Sequence, residues 1–443
     1  MRRLRRVLLV IVVVLAVALV AGYWWQRPLL QTGTGYAAHN ACALGTIAGR
    51  DDPEDDLPPN PLVPLLRTST DDDGASSSIL GVLSQQRAWA TDGFGCAVAD
   101  ERPELPAPTE VGAEGNPLTE APAPTAPTDL GEALDHAFGA DLPAADREDL
   151  GTRAVVVVKD GELVAEQYAD GFEATTPQIG WSMSKSVTDL LVGRLVQEGE
   201  VALDDDHLRP EWEEDERADI TVRQLLQMTS GLEWDETYAL NTPITRMLYL
   251  EPDMGGYVAS QPLAHDPGTY LQYSSGSTTL LCSILAERTG LGANLPRDLL
   301  FEPLGLSSAV LETDGVGTPV CSSYLWATPR DWAAIGQLAL DDGVRHGDRL
   351  LPRGWMEEST KAVDVESMEP DPYASGWWPN EAPDGSLVED GLPADAFFAE
   401  GHDGQWMVVV PSERLVVVRL GFTPTREDDR ALSTAARVSE ALG

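Results

Sequence analysis

Two apolar hairpins at opposite ends of one long region constrain this chain most. Residues 154–158 and 163–168 read as strands closed by the turn Lys159-Asp160-Gly161-Glu162, and residues 406–410 and 415–420 as strands closed by Pro411-Ser412-Glu413-Arg414. Between them the pattern turns helical: Val187, Leu190, Leu191 and Leu195 recur on one face of residues 186–196. Residues 431–442 predict a closing helix. Strands from both ends around a helical middle imply a single antiparallel sheet flanked by helices, with an inserted helical region, an α/β architecture of the α+β type. No internal repeat, Gly-rich phosphate loop or metal-ligand cluster stands out, so no metal or organic cofactor is expected.

The N-terminus is a separate unit. Arg2, Arg3, Arg5 and Arg6 precede an uncharged apolar run from Val7 to Trp25. As a helix such a run spans about 28 Å, close to the ~30 Å of a bilayer core. The arginines favour keeping their end in the cytoplasm, and Tyr23, Trp24 and Trp25 suit the far interface. An uncleaved anchor over residues 1–25 is expected, because the aromatic triplet makes a poor small-residue cleavage site; a cleaved signal peptide, and hence a secreted protein, is the competing reading.

The remainder then lies outside the cytoplasm, on the cell surface or in a periplasm. Its composition suits that address: 72 acidic against 30 basic residues give a net charge of −42, which repels nucleic acid. Such acidity and scarcity of lysine suit either salt adaptation or a high-GC genome. The four cysteines, Cys42, Cys96, Cys282 and Cys321, are disulfide-competent there. Cys42 with Cys96 is the preferred pair, since both lie in one segment; Cys282 and Cys321 are read as a second pair or as free buried thiols. Residues 26–101 form an acidic extension with clusters at Asp51-Asp52, Glu54-Asp55-Asp56 and Asp71-Asp72-Asp73, and with an apolar stretch opening at Ile79. Seven prolines between Pro103 and Pro127 disfavour helix and central strand alike, so residues 102–128 read as a linker or wrapping segment before a domain at 129–443.

Ser182-Met183-Ser184-Lys185 places a hydroxyl and an amine one helical turn apart on a shared face, after Trp181. Serine needs a base to become a nucleophile, and a desolvated lysine can serve. The chain has only three lysines, and neither Lys159 nor Lys361 has serine three places before it. Tyr273-Ser274-Ser275 and His402-Asp403-Gly404-Gln405 follow downstream.

In that order these motifs resemble the superfamily of class C β-lactamases, D-alanyl-D-alanine carboxypeptidases and esterases, and most of all its 6-aminohexanoate-dimer hydrolases. The likeness covers residues 151–443 and includes the connecting segments 220–232 and 321–332. It implies that Ser182 attacks a carbonyl, that Lys185 and Tyr273 move its proton as a coupled unit, and that the backbone N–H groups of Ser182 and Gln405 form an oxyanion hole. The chain departs from the β-lactamase pattern twice. Ser275 stands where the tyrosine motif ends in asparagine, and His402-Asp403-Gly404 replaces lysine, threonine and glycine. Both changes point away from β-lactams and toward linear amides or esters. His402 is also readable as a structural histidine capping a strand turn.

Tyr238, Trp326, Trp377, Trp378 and Trp406 are candidates to line an acyl-binding cleft, with Ser275, His402, Gly404, Tyr238 and Trp406 expected to bind substrate. His39, His136, His207, His265 and His346 lack a histidine at ligand spacing and are expected in solvated or capping roles. The expected protein is thus a serine hydrolase acting on a small-molecule amide or ester without a cofactor. Its rivals are a D-amino-acid or cell-wall peptide hydrolase, a non-turnover ligand sensor, and a wall-associated adhesin on a worn-out scaffold.

Overall fold

The computed structural model describes residues 2–50, 52, 56–125, 127–426 and 428–443; Asp51, Glu54 and Asp55 of the predicted acidic clusters lie outside the described residues. One helix, α1 (Arg2–Thr46), opens the chain. Its first part is bare, with Leu4, Val7 to Val14, Trp24 and Trp25 all exposed, while Ala37, Ala38, His39, Ala41, Cys42 and Leu44 are buried. There is no break at Trp25, where the sequence divides anchor from extension. The same helix passes from an apolar exposed run into the body of the protein.

There it packs against a four-stranded antiparallel meander of β1 (Leu66–Asp71), β2 (Gly74–Ile79), β3 (Leu83–Thr91) and β4 (Gly95–Val98). Ala38, Ala41 and Leu44 of the helix meet Ala75 and Ala88 of the sheet, and a disulfide joins Cys42 to Cys96. The acidic extension is therefore a folded lobe. The Pro-rich stretch forms no helix or strand among its described residues. It wraps the domain instead: Asn116 donates to Asp331 at 2.6 Å, and Leu118 is buried in the main core.

The predicted sheet is present with six strands: β5 (Thr152–Lys159), β6 (Glu162–Tyr168), β7 (Trp378–Pro379), β8 (Phe397–Gly401), β9 (Gln405–Val410) and β10 (Leu415–Gly421), in spatial order β7-β8-β9-β10-β5-β6. All its pairs are antiparallel, and β10 of the C-terminal hairpin pairs with β5 of the N-terminal one. Side chains alternate across a strand, so Val156, Val158, Val416 and Val418 face one core while Val155, Val157, Leu415 and Val417 face another. Both faces are covered, which is why these strands read as continuous apolar runs rather than alternating ones. Helices α2 (Thr128–Ala137) and α6 (Ala431–Leu442) cover one face. The other carries the helical region, with α3 (Met183–Glu198), α4 (Ser275–Thr289) and α5 (Pro329–Leu340). Cys282 on α4 is bonded to Cys321, so the second pair is a disulfide and not two thiols.

Candidate active site

Ser182 immediately precedes α3, at the position where a helix leaves its first amides unused. The amides of Met183, Ser184 and Lys185 bond back to Gly180, Trp181 and Ser182. Trp181 turns the chain into the helix from a left-handed backbone conformation, φ 47°. For a bulky residue this costs about 1–2 kcal/mol, so its surroundings must hold it there. Gly401 at the end of β8 lies against this turn; a Cβ there would come within 2.1 Å of the Gly180 carbonyl oxygen, so only glycine lets the strand approach. In this way the sheet edge and the turn before Ser182 are fixed to one another.

Lys185 is 1 % exposed, and its Nζ donates to Ser182 Oγ at 2.8 Å, Ser275 Oγ at 2.9 Å and the Ser322 carbonyl at 3.1 Å. Those partners saturate an ammonium group. Burial holds the amine down to about 8, against a smaller upward pull from Glu236. A modest rise in pH thus yields a neutral amine already in contact with the serine hydroxyl. Two of its partners are carried by the Cys282–Cys321 disulfide, which ties α4, bearing Ser275, to the residue before Ser322.

Tyr273 lies on the other side of the serine. Lys185 Nζ is 4.7 Å from the centre of its ring, and its hydroxyl shares a hydrogen bond with Ser182. Burial and the neighbouring Tyr373 and Glu236 push the Tyr273 hydroxyl well above the usual phenol range, outweighing the Ser182 contact. The resemblance implies that Lys185 and Tyr273 move the proton as a coupled unit; in this geometry the resting tyrosine is a neutral phenol, and Lys185 is the group that titrates within reach of neutrality.

Glu236 is the residue that sequence reasoning missed. Its carboxylate accepts from the Ser275 hydroxyl at 2.5 Å, the Ser275 amide at 2.9 Å and the Trp234 indole at 2.6 Å. A chain of hydrogen bonds thus runs from Glu236 through Ser275 and Lys185 to Ser182. Only its place two residues before Tyr238 pointed to this wall. Ser275, expected to touch substrate, is fully buried and serves as the bridge in that chain.

Ser182 opens into a pocket of about 380 Å³ lined by Glu236, Tyr238, Tyr273, Trp378 and His402, with Glu369, Asp371 and Glu400 around it. Glu400 is pushed up to about 7 by the concave wall it sits in and by the Asp429 and Asp371 carboxylates, even though its side chain opens to solvent. A larger cleft of about 990 Å³ lies beside Asp72, Asp92 and Arg102; its lining includes the Ser308 hydroxyl, bonded to Asp331 at 2.6 Å, but no lysine or histidine among the described residues. Chemistry, not size, selects the smaller one.

The other sequence candidates divide. Tyr238 and His402 stack face to face at 4.4 Å and 11° on the pocket wall, and Trp378 lines it. Trp377 is in the core instead, donating to Asp189 at 2.9 Å, and Trp326 is buried against Glu312 at 2.8 Å. Trp406 packs edge-on against Phe398 and donates to Asp429 at 2.5 Å, outside the pocket lining. Gly404 is absent from the lining too; its carbonyl accepts from the buried Arg419, which also bonds the Leu150 carbonyl at 2.8 Å. Gln405 has its side chain pinned to both polar groups of Gly421, at 2.7 and 3.1 Å, which fixes the strand that carries its N–H. His39 is neither solvated nor capping: it is 3 % exposed and stacked on Tyr324.

The Beta-lactamase family profile matches residues 143–441, which include all six strands of the large sheet. The chain belongs to the beta-lactamase family. It is 26 % identical over 297 residues to the 6-aminohexanoate-dimer hydrolase of Paenarthrobacter ureafaciens, a match spanning 62 % of this chain and 74 % of that protein. A solved structure from Bacillus anthracis, provisionally assigned as a 6-aminohexanoate-dimer hydrolase, superposes with TM-score 0.60 at 24 % identity, over 74 % of this chain and 89 % of its own. A family VIII carboxylesterase follows the same fold at TM-score 0.53 and 17 % identity, over 71 % and 98 % of the two chains. The beta-lactamase fold expected from the motifs is thus the fold of this hydrolase-family chain.

Proposed function

We propose that this protein is a membrane-anchored, extracytoplasmic serine hydrolase that cleaves linear amides or esters through an acyl-enzyme on Ser182. The 2.8 Å contact between Lys185 and Ser182, in a site that has driven the lysine down to about 8, carries this reading. Neutral Lys185 takes the hydroxyl proton as Oγ bonds to the substrate carbonyl carbon. Negative charge collects on the carbonyl oxygen, where the N–H groups of Ser182 and Gln405 would receive it, each such donor contributing about 3 kcal/mol. The C–N or C–O bond then breaks, the leaving group takes the proton through Tyr273, and water hydrolyses the acyl-serine by the same route in reverse.

The pocket's charge supports a choice of substrate. Its walls carry Glu236, Glu369, Asp371 and Glu400, and among the described residues that line it His402 is the one basic side chain. A substrate bearing an amine fits such walls; a β-lactam brings a carboxylate to them and finds no lysine at the His402 position. The relative named 6-aminohexanoate-dimer hydrolase supports an amide of an amino acid as substrate. The exposed apolar first part of α1 behind its arginines, with two disulfides, supports an anchored exterior location.

The test is a panel of short-chain p-nitrophenyl esters, nylon-type oligomers, D-Ala peptides and a chromogenic β-lactam against the purified protein. Turnover of esters and linear amides well above the β-lactam is expected. Efficient β-lactam turnover with inert esters and amides would overturn the proposal, turnover of D-Ala peptides alone would favour the cell-wall peptide hydrolase, and stoichiometric acylation without turnover would favour the sensor.

A further inference from the structure

The N-terminal helix does more than lead into the domain. It approaches so closely that a Cβ on Gly35 would lie 2.3 Å from the Tyr249 carbonyl oxygen. Tyr36 and His39 follow at a spacing that puts them on one helix face. Tyr36 stacks on Tyr249 at 4.7 Å and 14°, and meets the edge of Trp181 at 6.4 Å and 86°. His39 stacks on Tyr324 at 4.1 Å and 22°, and Tyr324 in turn tilts against Trp181 at 6.1 Å. On its remaining sides Trp181 meets Tyr238 at 6.3 Å and His402 at 5.9 Å, both edge-on.

Trp181 is therefore clasped between the pocket wall and the N-terminal helix, and it is the left-handed residue directly before Ser182. The clasp is itself secured. His39 Nε2 lies 3.1 Å from the fully buried Glu312, whose carboxylate accepts from the Cys96 amide at 2.7 Å and the Trp326 indole at 2.8 Å. Thr34 donates to the Ser84 carbonyl at 2.7 Å, and the Cys42–Cys96 disulfide closes the lobe below. The matched family region begins only at residue 143, so the helix and lobe residues of this support, Thr34, His39, Cys42, Ser84 and Cys96, lie outside it.

We propose that Tyr36 and His39 are positioning residues for the nucleophile: they hold Trp181 in its left-handed turn, and with it the alignment of Ser182 against Lys185 and the pocket. The proposal rests on Ser182 being the nucleophile. It makes the embedded half of α1 a working part of the hydrolase, and it fixes the pocket relative to the apolar half of the same helix. Misplacement of a reacting group by about 1 Å costs up to ~100-fold in rate. Loss of the clasp should therefore appear in the chemical step rather than in substrate binding.

The experiment uses the full chain in detergent and reads the rate of fluorophosphonate labelling together with kcat and KM for an ester, well below each variant's Tm. Y36L keeps apolar volume but loses the flat ring; its labelling rate and kcat should fall roughly 10- to 100-fold with KM within about threefold. Y36F keeps the ring and should retain wild-type rates. G35A keeps both clasp rings of the helix but pushes it off Tyr249, whose carbonyl oxygen and Cβ the new methyl would meet at 2.3 and 2.9 Å, and should lower kcat as Y36L does. H39Q should do the same by losing the ring on Tyr324, and serves if Y36L does not fold. Folded variants with wild-type labelling rates would overturn the positioning role. A wild-type protein that takes no label at Ser182 would instead remove the reading beneath it.

Discussion

Replacing Glu236 by glutamine tests the proton circuit of the site. Glu236 and Lys185 are joined through Ser275 Oγ by hydrogen bonds of 2.5 and 2.9 Å, so their charged groups lie within about 5.5 Å. At an effective dielectric of about 20, that attraction is worth about 3 kcal/mol, or ~2 pH units on the lysine. Burial alone lowers the amine; the carboxylate opposes it, and the balance stands at about 8. In the proposed mechanism the neutral amine is the base, so kcat/KM should rise with pH through about 8 in the wild type. In E236Q, with the stabilising charge gone, the ammonium is disfavoured further and the rise should move to a pH lower by ~1–2 units. The amide keeps an acceptor for Trp234 or Ser275, which limits structural damage. The assay is kcat/KM for a non-ionising ester between about pH 5 and 10. A limb that stays at the wild-type position would show that Lys185 is not the titrating base.

Opening the Cys282–Cys321 disulfide, by replacing both residues with alanine, should cost about 4 kcal/mol for a loop of 39 residues and lower Tm accordingly; it should also lower kcat by loosening Ser275 and Ser322 around Lys185. An unchanged Tm in chemical reductant would contradict this. Truncating Arg419 to methionine removes donors to the Gly404 and Leu150 carbonyls and to the Thr152 and Thr423 hydroxyls; the Leu150 carbonyl keeps the Thr423 hydroxyl at 2.6 Å while the Gly404 carbonyl loses the guanidinium, with a stability loss of about 1–3 kcal/mol measured by denaturant unfolding. Among substrates of equal reactivity, raising salt should weaken kcat/KM for amine-bearing esters and not for neutral ones, because screening acts on the acidic wall; equal salt effects would discount that wall.

The sheet was legible because its strands are long, apolar and closed by short turns, and a strand buried on both faces still announces itself by composition. The contact between Ser182 and Lys185 was legible because an i, i+3 pair on one helix needs no tertiary information. Glu236 was not, since its role arises only when Ser275 and Trp234 are brought to it from separate segments. Trp377 and Trp326 misled for the same reason: an indole looks alike in sequence whether it faces a pocket or donates to a buried carboxylate. The long helix was divided at Trp25 because hydropathy changes there; the backbone does not. Tyr36 and His39 carry no sequence signal of their partners, which lie more than 140 residues away in the chain.

The central claim is a covalent one, and mass mapping of the labelled protein addresses it directly. A serine-directed fluorophosphonate should add one label, on the peptide containing Ser182, and the S182A variant should take none. A label that persists unchanged in S182A, or that maps to another peptide, would contradict the assignment of Ser182 as the nucleophile.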